Sequence, residues 1–277
     1  MPSSQKKRRA GKSPFSAADF IEAHKVFRFE EFLEAHTASG ASPKTTDAVL
    51  QYYVSIGRLE NVRRGLYIHA NDEPDRYLLC SRLSRDAVLA YEGALAFHGL
   101  VTLKNSLSFL TDERPSKLVL DEVFYQPVRV PRALRDKRSW GGNILTAERE
   151  GQSLKVTSVE RTLVDMLDRL DLIDSTRVLW DCFGRAKLDW QEMIAYVRKL
   201  DNRLAAGRLA VFLQLLGATN RVLDNLDPYV PRSACYFDSR DRTKGGAIFS
   251  RWSVIVPKAL LRHIKSGKTA KPWTYDG

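Results

Sequence analysis

The chain has 277 residues, enough for two domains and a sizeable hydrophobic core. Its 44% hydrophobic and 28% charged content is ordinary for a globular protein, whereas a net charge of +11 points to a polyanionic partner such as DNA, RNA or an anionic membrane surface. Three widely spaced cysteines, Cys80, Cys182 and Cys235, form no CxxC pair and read as reduced thiols of a cytoplasmic protein rather than disulfides or a zinc site.

The charge is unevenly spread. Residues 1–12 carry Lys6, Lys7, Arg8, Arg9 and Lys12 with no acid. Residues 13–70 hold six basic against seven acidic side chains, so any nucleic-acid contact there depends on local arrangement. Residues 71–277 supply 33 basic and 26 acidic residues, much of the excess falling after Arg251. The basic start is not followed by an apolar segment, which argues against a secretory signal. The run LAVFLQLLGA is too short to span a bilayer and contains Gln214.

In chain order, residues 1–14 are polar and basic and read as a disordered arm. Phe20, Ile21, Val26 and Phe27 predict one helix, and Phe29, Phe32 and Leu33 a second, short one. After the loop TASGAS, the stretch SPKTTDAVLQYYVSIG opens with Ser42 as N-cap and Pro43 at the first helical position. Val49, Tyr53 and Ile56 make its buried stripe, and Gly57 ends it. The opposite face carries Lys44, Thr45, Ala48, Gln51, Tyr52 and Ser55.

GRLENVRRGLYIH then predicts a two-stranded hairpin, Leu59 and Val62 on one strand and Leu66 and Ile68 on the other, with Gly65 supplying the turn. Arg63 and Arg64 stand at its tip. A helix-turn-helix followed by an arginine-tipped hairpin is a winged helix, whose helix can enter the major groove while the tip meets phosphates or the minor groove. Candidate DNA contacts are therefore Lys6, Lys7, Arg8 and Arg9 of the arm, Lys44, Thr45, Ala48, Gln51 and Tyr52 of the helix, and Arg58, Arg63 and Arg64 of the hairpin. Gln51 suits a bidentate contact to adenine. Tyr52 could instead pack on the hairpin, and Arg58 has two open roles, facing the helix C-terminal dipole or reaching phosphate. The bland alternatives are a solvated arginine pair, a solvent-facing helix and a solubilising arm.

Beyond residue 72, PDRYLLCSRLSRDAVLAYEGALAFHGL reads as two helices. SLSFLTD, SKLVLDEVFYQPVRV and GNILTAE read as strands. TSVERTLVDMLDRL reads as a helix capped by Thr157 or Ser158, with Leu163, Met166 and Leu167 inward. Glu160 there suits a capping box and Arg161 a domain-internal ion pair. More helices reach about Leu216, and late strands lie in SACYFDS and AIFSRWSVIVP. This order predicts an α+β fold rather than a doubly wound sheet: an arm over 1–14, a winged helix-turn-helix over 15–72, and a larger mixed α+β domain over 73–277.

Four segments in the same order, GRLENVRRGLYIH, DRYLLCSRLSRDAVLAYEGALAFHGL, VTSVERTLVDMLDR and FSRWSVIVPKAL, resemble the AbiEi family of antitoxins and transcriptional regulators, from about Val26 to Leu261. The resemblance implies a winged-helix domain that binds operator DNA, with inverted repeats as its sites, and a C-terminal domain carrying antitoxic activity. It also implies autorepression of an operon whose second gene encodes a nucleotidyltransferase-like toxin, without a stable complex between the two proteins. The basic arm is not part of the family pattern.

Enzyme motifs fit poorly. SGKT at 266–269 lacks the first glycine of a phosphate loop, whose place is taken by Arg262. No GxSxG is present, Asp112 and Asp121 lack the ExK of a nuclease, and the five histidines share no ligand spacing. No cofactor, metal or membrane partner is expected. Two other classes stay open: an antitoxin whose C-terminal domain is an enzyme, kinase-like or nuclease-like, modifying the toxin or a nucleic acid, and a protein binding nucleic acid through charge alone.

Overall fold

The computed structural model describes residues 15–135 and 138–266. They form a mixed α+β fold, and the chain divides into two compact units at Arg82 and Leu83.

In the first unit, α1 (Ala17–Ala23) starts at Ser16, whose hydroxyl accepts the Asp19 N–H at 3.2 Å. There follow β1 (Val26–Arg28), α2 (Phe29–Thr37), α3 (Pro43–Ser55), β2 (Leu59–Arg63), β3 (Leu66–His69) and α4 (Arg76–Arg82). Strand β3 lies between β1 and β2 and is antiparallel to both. Side chains alternate along a strand, so Phe27 and its partner Tyr67 share one face, their rings stacked at 5.6 Å. Ile21, Phe32, Leu50 and Leu59 complete that core. The other face buries Val26, Leu66 and Ile68. Helix α4, with Leu78 and Leu79 fully buried, packs on β1. Arg28 Nη1 donates to the Arg82 carbonyl at 2.9 Å, and Arg82 Nε reaches the Glu31 carboxylate at 3.0 Å.

Two expectations change here. Val26 and Phe27, read as helical, form β1, because a three-residue strand inside an apolar run has no period of its own. The helix over Arg76–Arg82, read as opening the second domain, covers the sheet of the first, so the division falls after Arg82 rather than at 72/73.

The second unit begins with β4 (Val88–Ala90), α5 (Tyr91–Phe97), β5 (Ser106–Thr111), β6 (Leu118–Leu120), β7 (Val123–Arg129), α6 (Arg132–Arg135), β8 (Ile144–Arg149) and β9 (Gln152–Thr157). The strands form one sheet in the order β6-β7-β5-β4-β9-β8. Pairs β5/β7 and β4/β9 are parallel and the rest antiparallel. Helices α7 (Val159–Asp168), α8 (Thr176–Arg185), α9 (Trp190–Leu200), α10 (Arg203–Leu215) and α11 (Asn220–Leu223) follow. A three-stranded sheet of β10 (Cys235–Tyr236), β11 (Gly246–Phe249) and β12 (Val254–Pro257) then leads into α12 (Lys258–Lys265). Strand β4, inside a segment read as two helices, is buried at every residue and was hidden by its length. The apolar run noted above starts in α10, in which Ala205 to Leu213 are all buried. No described helix is long and apolar enough to cross a membrane.

Helix α7 starts at Ser158, whose hydroxyl accepts the Arg161 N–H at 3.2 Å. Leu163, Met166 and Leu167 are buried as expected. Glu160 does not close a capping box; its carboxylate accepts the Asp189 N–H at 3.3 Å. Arg161 is fully buried. Its Nε donates to Asp165 at 3.3 Å, and its Nη1 donates to the carbonyls of Trp140 (3.1 Å) and Gly142 (2.6 Å). The Tyr196 hydroxyl donates to Asp165 at 2.6 Å, and the guanidinium lies over the Tyr196 ring. Trp140, Gly141, Gly142 and Asn143 all have φ between +46° and +92°. For the two non-glycine residues this is a strained backbone, sustained only where surroundings enforce it. Here Arg161 and the Lys199 ammonium, which donates to the Gly141 carbonyl at 2.9 Å, hold the carbonyls inward.

Replacing Arg161 with Met leaves Asp165 buried without its counter-charge and should destabilise the protein by about 3–5 kcal/mol in urea unfolding at neutral pH. Burial pushes the Asp165 carboxyl up to about 6, against the lowering pull of Arg161. A raised carboxyl favours its protonated form in the folded state, so its contribution is full below about pH 4 and is lost as pH rises through 6. Thermal melts of Asp165→Asn should lack that component of the pH dependence.

Candidate nucleic-acid interface

Helix α3 is built as its sequence implies. Pro43 occupies the first turn and the Ser42 hydroxyl accepts the Thr45 N–H at 3.2 Å. Thr46 and Leu50 are fully buried, with Val49, Tyr53 and Val54 packed beside them. Ile56, read as the end of the buried stripe, is 48% exposed. It lies just past the last helical residue, where Gly57 at φ +71° turns the chain away. The face expected outward is outward: Lys44, Thr45, Ala48, Gln51, Tyr52 and Ser55 are all exposed. Tyr52 is 59% exposed and meets Tyr53 edge-on, at 5.5 Å between ring centroids.

A buried polar contact sets α3 against α2. The Thr46 hydroxyl donates to the Ser42 carbonyl at 3.0 Å and pairs with His36 Nδ1 at 3.0 Å. His36 is in turn held among aromatic rings, 5.1 Å from Phe15 and 5.5 Å from Phe32. Sequence reasoning passed over this pair, since it weighed the histidines only for metal spacing. The available signal was a threonine on the inward side of an otherwise apolar stripe.

The hairpin turns in two residues, Arg64 and Gly65, the glycine at φ +73°. The register shifts between Asn61 and Arg63, so the strand bulges just before the turn. The Gly65 carbonyl accepts the Phe29 N–H at 2.8 Å, tying the turn to the start of α2. Arg64 is exposed, whereas Arg63 is half-buried. Arg58 takes neither of its two foreseen roles alone: its guanidinium pairs with Glu22 of α1 and lies over the Tyr53 ring at 5.6 Å. Tyr67 links helix and hairpin. Burial raises its phenol above the usual range, the Asp47 carboxylate adds to this, and a hydrogen bond from Asn61 offsets part of it. Lys6, Lys7, Arg8 and Arg9 lie outside the described residues.

Between residues 15 and 82 there are eight basic and ten acidic side chains. This unit therefore offers no broad positive field. What it offers is local: an outward helix face with Lys44 at its N-terminal end, and Arg64 at the turn. Such a face is suited to hydrogen bonding at base edges and a few phosphates.

No family model matches the chain, and no curated protein sequence does. Among solved structures it is similar to the RV2827C protein of Mycobacterium tuberculosis. The two are 15% identical over 90% of this chain and 92% of that one, with a TM-score of 0.52. At that identity the likeness concerns the fold.

Thr46→Val keeps the shape of the side chain but leaves His36 without its buried partner. It should lower stability by about 1–3 kcal/mol in chemical denaturation, more than the same change at the exposed Thr45.

Proposed function

We propose that this protein binds duplex DNA in a sequence-specific manner, with α1 to β3 acting as a winged helix. The observation that carries the reading is the order α1-β1-α2-α3-β2-β3 with β3 seated between β1 and β2. It sets a helix with an exposed polar face directly before an arginine-bearing turn. An α-helix, about 10–12 Å across with its side chains, fits a major groove of about 12 Å. Gln51 and Tyr52 then face bases, Lys44 and Thr45 face phosphate or base edges, and Ala48 permits close approach. Arg64 is the leading phosphate contact of the turn and Arg63 the second. Arg58 steadies the end of α3 through Glu22, and the Lys6–Arg9 arm adds affinity that is independent of sequence.

From the sequence resemblance we extend this to a biological role: an antitoxin and autorepressor of a two-gene operon, acting on inverted repeats upstream of its own gene, with the antitoxic activity in the C-terminal unit. Its counterpart is a nucleotidyltransferase-like toxin.

Anisotropy titrations against the DNA upstream of the gene and a scrambled duplex test the core of the proposal. The protein should prefer the upstream sequence, and Gln51→Ala should reduce that preference by about 1–3 kcal/mol. Arg63→Ala with Arg64→Ala should weaken binding to both duplexes and flatten the logarithmic salt dependence by roughly one to two. Equal affinity for both duplexes would refute sequence-specific reading. For the biological role, co-expression should rescue growth of cells producing the downstream toxin.

A further inference from the structure

Helix α12 carries a cationic stripe that the α3 interface does not use. Lys258, Arg262 and Lys265 are all exposed. Their spacing of four and three residues puts them within about 60° of arc on one side of the helix. None of the three has an ion pair or side-chain hydrogen bond among the described residues. The opposite side of α12 is already occupied. Leu260 is buried in the core, Ile264 packs against it, and His263 Nε2 lies 3.0 Å from Asp181 on α8, while the half-buried Leu261 flanks the stripe. The helix is thus fixed in place and presents outward little besides charge.

The stripe lines an open groove together with Pro257, Ala259, Leu261, Asp241 and Lys244. The groove runs on toward Arg177 in the first turn of α8, also exposed and without a side-chain partner among the described residues. Each carboxylate around it already has a cationic or histidine partner. Asp241 pairs with Lys244 at 2.8 Å, Asp238 with Arg240 at 2.8 Å, Asp174 with Lys104 at 2.7 Å, and Asp181 with His263. What remains is an uncompensated positive surface made of Lys258, Arg262, Lys265 and Arg177.

We propose that this face of α12 is a second, sequence-independent contact for duplex DNA, located on the C-terminal unit. Lys258 to Lys265 extend over about 10 Å of helix, close to the axial length of three phosphate steps on one strand, roughly 3.4 Å each. The three cations stand on long stems at exposed positions, which suits phosphate oxygens, contacts that carry no sequence information. An anionic membrane fits less well, because an interfacial helix inserts its apolar side, and here that side is in the core. The inference takes the identity of the polyanion from the DNA-binding reading but does not depend on α3.

The test uses the full chain and a fluorescent duplex of scrambled sequence, titrated over a series of NaCl concentrations. The triple variant Lys258→Ala, Arg262→Ala, Lys265→Ala should keep the wild-type thermal melt, since all three sites are exposed. Its log–log salt slope should be shallower by about two to three, while its preference for the upstream duplex over the scrambled one should not change. A charge-preserving variant, Lys258→Arg with Lys265→Arg, should keep the full slope. If the chain shows no sequence preference but the triple variant still loses slope, the α3 reading fails and this surface stands. An unchanged slope in a folded triple variant overturns the proposal. So does loss of binding to phosphatidylserine vesicles with the DNA slope intact, which would assign the stripe to a membrane surface.

Discussion

Strand β3 is hydrogen-bonded on both edges and covered on both faces, and the N-terminal unit is organised around that confinement. Its edges belong to β1 and β2, its Tyr67 face to the helices, and its Leu66 and Ile68 face to the side on which α4 packs. An isolated two-stranded hairpin is marginal in water; here β1 is added and the strand leading out of the arginine-bearing turn is buried. The Arg28, Glu31 and Arg82 contacts bind the last helix of the unit to the first turn of α2. Removing α4 would strip β1 of the helix packed on it, so a fragment ending at 72 would be a poor representative of this unit.

The two units use buried polarity differently. In the first, a hydrogen bond between His36 and the buried Thr46 joins two helices. In the second, a charged pair, Arg161 and Asp165, lies wholly inside, and Arg161 holds the positive-φ segment 140–143 by the Trp140 and Gly142 carbonyls. Buried ion pairs contribute little net stability beside an apolar alternative, so fixing residues 140–143 is a better account of why this one is present. It also explains the capping-helix sequence TSVERTLVD, in which Ser158 caps while Arg161 and Asp165 share one face four residues apart.

Much of the candidate interface was legible because its signals are local. Ser42 and Pro43 define the start of α3, Gly65 defines the turn, and the recurrence of Val49 and Tyr53 separates the inward side from Gln51, although the fully buried Leu50 was not among the residues read inward. What was not legible depends on partners distant in sequence. Val26 and Phe27 become a strand only because Ile68 and Tyr67 are available to pair with them. Val88 to Ala90 become the centre of a sheet for the same reason, with Leu110 on one side and Val156 on the other. Arg58 looked like a free cation because Glu22 is 36 residues away along the chain. Overall charge says little about this site: residues 15–82 hold eight basic and ten acidic side chains, a near balance already visible over 13–70 in the sequence.

The hydrogen bond from Phe29 to the Gly65 carbonyl has one more implication. Long, loosely tethered loops lose conformational entropy when they settle on a partner, and that loss is subtracted from affinity. Here the backbone of the turn is already ordered by its link to α2, and the exposed Arg64 has chiefly its own rotamers left to restrict. Docking of this element should therefore resemble the meeting of two rigid surfaces, with its strength expressed in the lifetime of the bound state more than in a folding step on arrival.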